Sequence, residues 1–200
     1  PEGFQHYILK YDDNSAYPYA KLEYIYYRMA LDAGIEMMPS ELRTYDGVTH
    51  FLTQRFDREG NEKIHTQTLA AMFPTSDSYE DIFSVIRRLN LPYEDSRQHF
   101  LRMVFNVTTR NVDDHSKNFS FCMNKKGIWR LSPAYDLTYS VDLTAPAYSN
   151  RHSLTINGKN EDITREDLGT VGQNNDIQDY NALIDTVYNA VAKFESHARE

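Results

Sequence analysis

A single cysteine, Cys122, in 200 residues excludes an intrachain disulfide and fits a reducing cytoplasm. Long apolar runs are missing: none approaches the roughly 20 residues that a membrane-spanning helix needs. The first residues, Pro1-Glu2-Gly3-Phe4, lack the basic-then-apolar pattern of a secretory signal. Positive charge is also scarce. A formal net charge of −8 speaks against direct nucleic-acid binding, which rests on clustered Lys and Arg, although a local basic pocket for nucleotide phosphates stays open. No His-x-x-x-His or paired-cysteine spacing occurs, so a transition-metal hydrolase has no complete ligand set. Only one glycine, Gly3, precedes Lys10.

What is present is a chain long enough to bury a substantial core. Residues 4–10 have the aromatic and β-branched makeup of a strand, followed by a turn over Asp12–Ser15. A helix is expected over 19–33, with Leu22, Tyr26 and Met29 on one face and Gly34 as its stop. Strands over 41–46 and 49–55 flank Asp46-Gly47, a strong hairpin dipeptide. Helices are then expected over 65–73, 79–89 and 96–110. In the last of these Phe100, Met103, Val104 and Val107 keep the 3.6 period. A hairpin over 119–131, a polar irregular stretch over 140–162 suited to an insertion or a mobile segment, and helices over 164–170 and 177–197 complete the reading. A strand-rich start before a helix-rich body implies α+β with two unequal lobes, 1–57 and 58–200. Fifteen tyrosines, five of them crowded between Tyr17 and Tyr27, read either as half-buried packing or as a phosphorylation or partner surface.

The chemistry concentrates in Asn111-Val112-Asp113-Asp114-His115-Ser116-Lys117-Asn118 and, eighteen residues beyond Asn118, in Asp136 of Ser132-Pro133-Ala134-Tyr135-Asp136. Phosphoryl transfer to a hydroxyl needs a carboxylate near the attacking oxygen and oxygen ligands for Mg²⁺. Protein kinases keep the base and an Asn ligand at Asp-x-x-x-x-Asn spacing and a second metal-binding Asp on a later loop. Asp113, Asn118 and Asp136 reproduce that order. Lys117 is placed to neutralise the transferred phosphate, and His115 to brace the loop by hydrogen bonds. Lys10, ending an apolar strand, suits the nucleotide phosphates, with Glu23 on the next helix to orient it. Gln54-Arg55-Phe56-Asp57-Arg58 stands where a chain would cross between lobes, and main-chain groups of such a connection commonly pair with adenine. Small-molecule kinases place a His two residues before the base, whereas His115 comes two after Asp113, which disfavours that reading.

These blocks together resemble the HipA-type serine/threonine kinases, toxins of bacterial toxin–antitoxin modules. The resemblance rests on Ile8-Leu9-Lys10, Glu23-Tyr24 before Ala33-Gly34-Ile35, Arg55-Phe56-Asp57-Arg58, the Asn111–Asn118 run, and Pro133-Ala134-Tyr135-Asp136. It implies a bilobal kinase-like fold, similar also to phosphatidylinositol-type kinases, with ATP and Mg²⁺ as cofactors. It implies Asp113 rather than Asp114 as the base, Asn118 and Asp136 as metal ligands, Lys10 on the phosphates, and Gln54 and Phe56 at adenine. His115 would help hold the nucleotide. The implied partners are a cytoplasmic protein substrate and a HipB-like antitoxin. Members carry a phosphate-covering loop and a further amino-terminal subdomain before the lysine strand. This chain therefore reads as the carboxyl-terminal kinase portion of a longer protein, weak in ATP binding by itself. The alternative is a non-catalytic kinase fold that binds a partner.

Overall fold

A computed structural model of the chain describes residues 4–12, 17–142, 144 and 146–199. Its α+β architecture pairs an antiparallel sheet lobe with a helical lobe. The first sheet has the order β1 (Tyr7–Lys10), β3 (Val48–Gln54), β2 (Ser40–Tyr45), all antiparallel, with Lys10 opposite Phe51 and Ser40 opposite Thr53. Asp46 (φ 50°) and Gly47 (φ 81°) close β2 to β3. Both centres are left-handed, as the two-residue turn matched to strand twist requires. Most of the expected turn over Asp12–Ser15 lies outside the described residues.

Helix α1 (Tyr19–Asp32) covers this sheet. It ends where the N–H of Ile35 bonds Ala30 O and that of Gly34 bonds Leu31 O, both at 2.9 Å, with Gly34 at φ 76°. That paired termination is available because glycine has no Cβ to oppose a left-handed backbone. The tyrosines of α1 divide. Tyr26 is buried and donates to Thr109 O at 2.6 Å, whereas Tyr17, just before the helix, and Tyr19 are exposed.

Residues 65–73 depart from expectation. The segment is a strand, β6 (His65–Thr68), followed by a single helical turn, α2 (Leu69–Met72), after the small ribbon β4 (Arg58–Glu59) and β5 (Glu62–Lys63). Thr66 and Thr68 favour an extended backbone, and pairing with β7 (Ser120–Met123) supplies the ladder. Thr68 then caps the turn, its Oγ1 accepting from Ala71 N. β8 (Trp129–Leu131) completes this second sheet, in the order β6–β7–β8.

The helical lobe is built on α4 (Tyr93–Thr109), which starts three residues earlier than expected because Pro92 and the acidic pair Glu94-Asp95 suit a helix start. α3 (Tyr79–Arg88) packs on it, begun by a reciprocal Ser78–Asp81 capping box. α5 (Arg165–Asn174) ends four residues later than expected. The expected final helix is two: α6 (Tyr180–Val191) and α7 (Phe194–Ala198). The turn between them lets α7 fold back on α1, where Lys193 Nζ and His197 Nε2 lie 3.0 and 3.1 Å from Asp32 Oδ2.

The stretch 140–162 has little regular structure, as expected, but its middle is not a loose insertion. His152, Leu154 and Ile156 are buried, and Thr155 exchanges main-chain bonds with Asp77 and Tyr79 (2.8 and 3.0 Å). Alternating inward residues at 152, 154 and 156 fasten it to the start of α3.

Where α4, α5 and α6 meet, a Cβ on Gly172 would stand 2.8 Å from Tyr180 Cβ and 3.0 Å from Phe100 Cε2. Gly172→Ala is therefore expected to destabilise the fold by about 1–3 kcal/mol through overpacking, read as a lower midpoint in urea unfolding.

Candidate active site between the lobes

A cleft of about 410 Å³ separates the first sheet from the helical lobe. Ile8, Met37, Met38 and Phe51 give it an apolar wall, and Lys10, Lys117 and Asp136 supply charge. Lys10 Nζ bridges two carboxylates, Glu23 Oε1 at 2.6 Å and Asp136 Oδ1 at 2.5 Å. Burial would lower the Lys10 pKa, but the two carboxylates outweigh it and hold the ammonium above its ordinary value. Burial dominates at Glu23 and pushes that carboxyl up, partly offset by Lys10. Thus residues from β1, α1 and a loop 126 positions away in sequence meet at one ammonium.

The rim beside this cation is shaped by a proline. Across β2 and β3, Gln54 N–H donates to Pro39 O at 3.0 Å. The return bond of such an antiparallel pair would come from the N–H of residue 39, which proline lacks. The Gln54 carbonyl is left without a ladder partner at the edge of the cleft. Two residues further on, the Phe56 ring packs on Tyr135 with centroids 5.4 Å apart.

Asp136 has a left-handed backbone (φ 58°), which Asp tolerates better than most residues. Its loop is held from both lobes. Ala134 N donates to Glu36 O at 2.7 Å, and the buried Arg102 of α4 donates to Ser132 O at 2.6 Å. Burial lowers the Arg102 pKa to about 10. Tyr135 ties the loop to the acidic run: its OH donates to Lys117 O (2.8 Å) and accepts from Ser120 Oγ (2.6 Å).

Within that run, two adjacent acids have opposite fates. The Asp113 side chain is 66% exposed and that of Asp114 is 0% exposed. Asp114 accepts from Tyr79 OH, His152 Nδ1 and Ser153 N, each at 2.7 Å. A carboxylate so enclosed and saturated cannot serve as a base for an incoming hydroxyl. Asn118 donates its Nδ2 to Asp113 O (2.9 Å). The brace expected of the His115 ring is made instead by Asp114. His115 Nε2 stands 3.8 Å from Asp113 Oδ1, too far for a hydrogen bond, and its Nδ1 is buried without a partner. Lys10, Gln54, Phe56, Lys117 and Asp136 all line the cleft; Asp113, His115 and Asn118 stand outside its lining.

A profile of the HipA-like C-terminal domain matches residues 1–195. The chain belongs to the HipA-like C-terminal domain family. Y4mE of Sinorhizobium fredii (strain NBRC 101917 / NGR234), whose name marks it as a candidate kinase, is 28% identical over 130 residues, 57% of this chain and 31% of Y4mE. Among solved structures, HipA from a Shewanella oneidensis MR-1 complex with HipB and operator DNA superposes with a TM-score of 0.76 at 18% identity. The match covers 96% of this chain and 51% of that one. The Helicobacter pylori proinflammatory kinase CtkA follows at a TM-score of 0.60 and 11% identity, covering 96% and 87%. At these identities the structures establish the kinase-like fold. The HipA-like chain spans about a third of Y4mE and half of the Shewanella HipA chain.

Residues that the sequence did not single out as functional lie behind the acidic run. Tyr79 OH donates to Asp114 and accepts from Asn106 Nδ2 (2.8 Å), while Asn106 Oδ1 accepts from Asn111 Nδ2 (3.0 Å). Burial and then the Asp114 charge hold the Tyr79 phenol well above its ordinary pKa, so it stays a donor. Tyr79→Phe removes that donor and strands the Asn106 amide. The expected cost is about 1–3 kcal/mol of stability, measured by urea unfolding.

Proposed function

We propose that this is the phosphotransferase domain of a HipA-like serine/threonine protein kinase, with residues 1–57 as the nucleotide-facing lobe and 58–200 as the catalytic lobe. The observation that carries the reading is the Lys10 ammonium held between Glu23 and Asp136 at the mouth of a partly apolar cleft. An ion pair between a strand lysine and a helix acid is what kinases use to set a cation on nucleotide phosphates. The apolar wall suits a purine, and the carbonyl freed by Pro39 supplies an acceptor at Gln54 for an exocyclic amine. Phe56 adds main-chain polarity on the same connection.

The donor chemistry fits Mg²⁺. Asp136 and the amide oxygen of Asn118 would be hard oxygen ligands for such an ion. Bound Mg²⁺ supplies charge neutralisation on the phosphates. Asp113 then accepts or orients the proton of the acceptor hydroxyl, Lys10 binds the nucleotide phosphates, and Lys117 balances charge on the phosphoryl group in flight. His115 is assigned a supporting place beside Asp113 in holding the nucleotide. The acceptor is a Ser or Thr of a cytoplasmic protein, and a HipB-like antitoxin is the proposed partner. Among the described residues no helix is long and apolar enough to cross a membrane.

In the intact protein, Asp113→Asn is expected to keep ATP binding and lose turnover by a factor of about 10² or more, whereas Asp136→Asn weakens Mg²⁺-dependent ATP binding itself. Steady-state kinetics beside calorimetric titration separate the two effects. Wild-type activity in both variants overturns the assignment. Titration of the wild type with ATP in Mg²⁺ and again in EDTA should show affinity falling when the metal is removed. No heat in either condition would leave a kinase fold that only binds partners.

A further inference from the structure

The segment around His152 grips the residue proposed as base from both sides, and nothing in the phosphate-transfer reading accounts for it. Ser153 donates its N–H and Oγ to Val112 O at 3.1 and 3.2 Å, on the amino side of Asp113. His152 Nδ1 and Ser153 N hold the Asp114 carboxylate on the other side. The segment is itself anchored, with His152 N bonded to Asn160 O at 2.9 Å and Leu154 and Ile156 buried. A third restraint acts on Asp113 directly: its N–H donates to Ser140 Oγ (3.0 Å), which donates to Asn111 Oδ1 (3.2 Å).

Consecutive side chains on an extended backbone point in opposite directions. A carboxylate fixed inward at position 114 therefore directs the one at 113 outward, as their exposures of 0% and 66% show. The donors on the Asp114 carboxylate come from Tyr79 on α3 and from the 152–153 segment. Loss of the His152 bond leaves a buried anion under-satisfied, and such a group relaxes by turning toward water. Because the two residues are adjacent in one short loop, that rotation shifts the main chain of Asp113 as well.

We infer that His152 is a positioning residue for phosphate transfer: by anchoring Asp114 through Nδ1 it sets the direction and main-chain position of Asp113. The transfer role rests on the kinase reading, whereas the anchoring of the loop does not. His152 touches neither the nucleotide-facing cleft nor Asp113, so its loss should act on the rate of transfer and spare nucleotide affinity.

The test compares His152→Ala, His152→Asn and His152→Gln in the intact protein, with ATP and casein as a generic Ser/Thr acceptor. An Asn amide nitrogen occupies the place of Nδ1, while a Gln amide reaches only to that of Nε2. His152→Ala and His152→Gln are expected to lower kcat by about 10–100-fold with the KM for ATP within about twofold of wild type. His152→Asn is expected to restore most of the loss. Hydrogen–deuterium exchange of residues 111–118 should rise in the Ala and Gln variants and return toward wild type in Asn. Should His152→Ala not fold, the Asn–Gln contrast decides. Equal kcat in Asn and Gln, a loss shared equally by kcat and ATP affinity, or unchanged exchange at 111–118 overturns the inference. A wild-type protein that binds no ATP overturns the kinase reading alone, and the exchange contrast then still decides whether His152 anchors the loop.

Discussion

A polar stripe on a buried helix organises this molecule. Along α4, Gln98, Arg102 and Asn106 recur every fourth residue on one face, and all three are buried. Each satisfies main-chain or side-chain groups of a different loop. Gln98 donates to Gly34 O and accepts from Glu36 N, both at 2.9 Å. Arg102 holds Ser132 O, and Asn106 holds Tyr79 and Asn111. One turn earlier, Asp95 takes Arg130 Nε at 2.9 Å and Leu131 N at 3.1 Å. Buried polar groups need partners, so a helix that offers them in a row dictates where three irregular segments lie. Those segments are the link from α1 to β2, the loop that ends at Asp136, and the acidic run with Asp113.

The same logic explains how side chains on loops can be held in fixed positions around the cleft. Loops carry function but are poorly determined by their own backbone. Here each is tied to the rigid helix and to a neighbouring loop, as Tyr135 does between Lys117 and Ser120. Lys10 adds a charged tie across the cleft, joining β1 and α1 to the Asp136 loop.

Much of this was legible in the chain. The Asp46-Gly47 hairpin, the Gly34 stop of α1, the helices α3 and α4 and the α+β class follow from local rules of turn chemistry and periodicity. The ordered blocks around Lys10, Glu23, Asp113, Asn118 and Asp136 suggested the family, and of these Lys10, Glu23 and Asp136 meet at the cleft while Asp113 and Asn118 lie outside its lining. Two features were misread. His65–Thr68 is a strand because β7 offers it a ladder, a non-local circumstance. The 152–156 segment looked like an insertion because its inward positions are few and separated by polar residues.

The sequence by itself determined the family, through the order and spacing of Lys10, Glu23, Asp113, Asn118 and Asp136, and the local turns and helices, since turn chemistry, periodicity and spacing within a short loop are local properties. Only the tertiary structure decided which of two adjacent aspartates faces outward, which carbonyl Pro39 leaves free, and that Lys10 meets Asp136. Those outcomes depend on burial and on hydrogen-bond partners drawn from distant parts of the chain, and no local pattern encodes them.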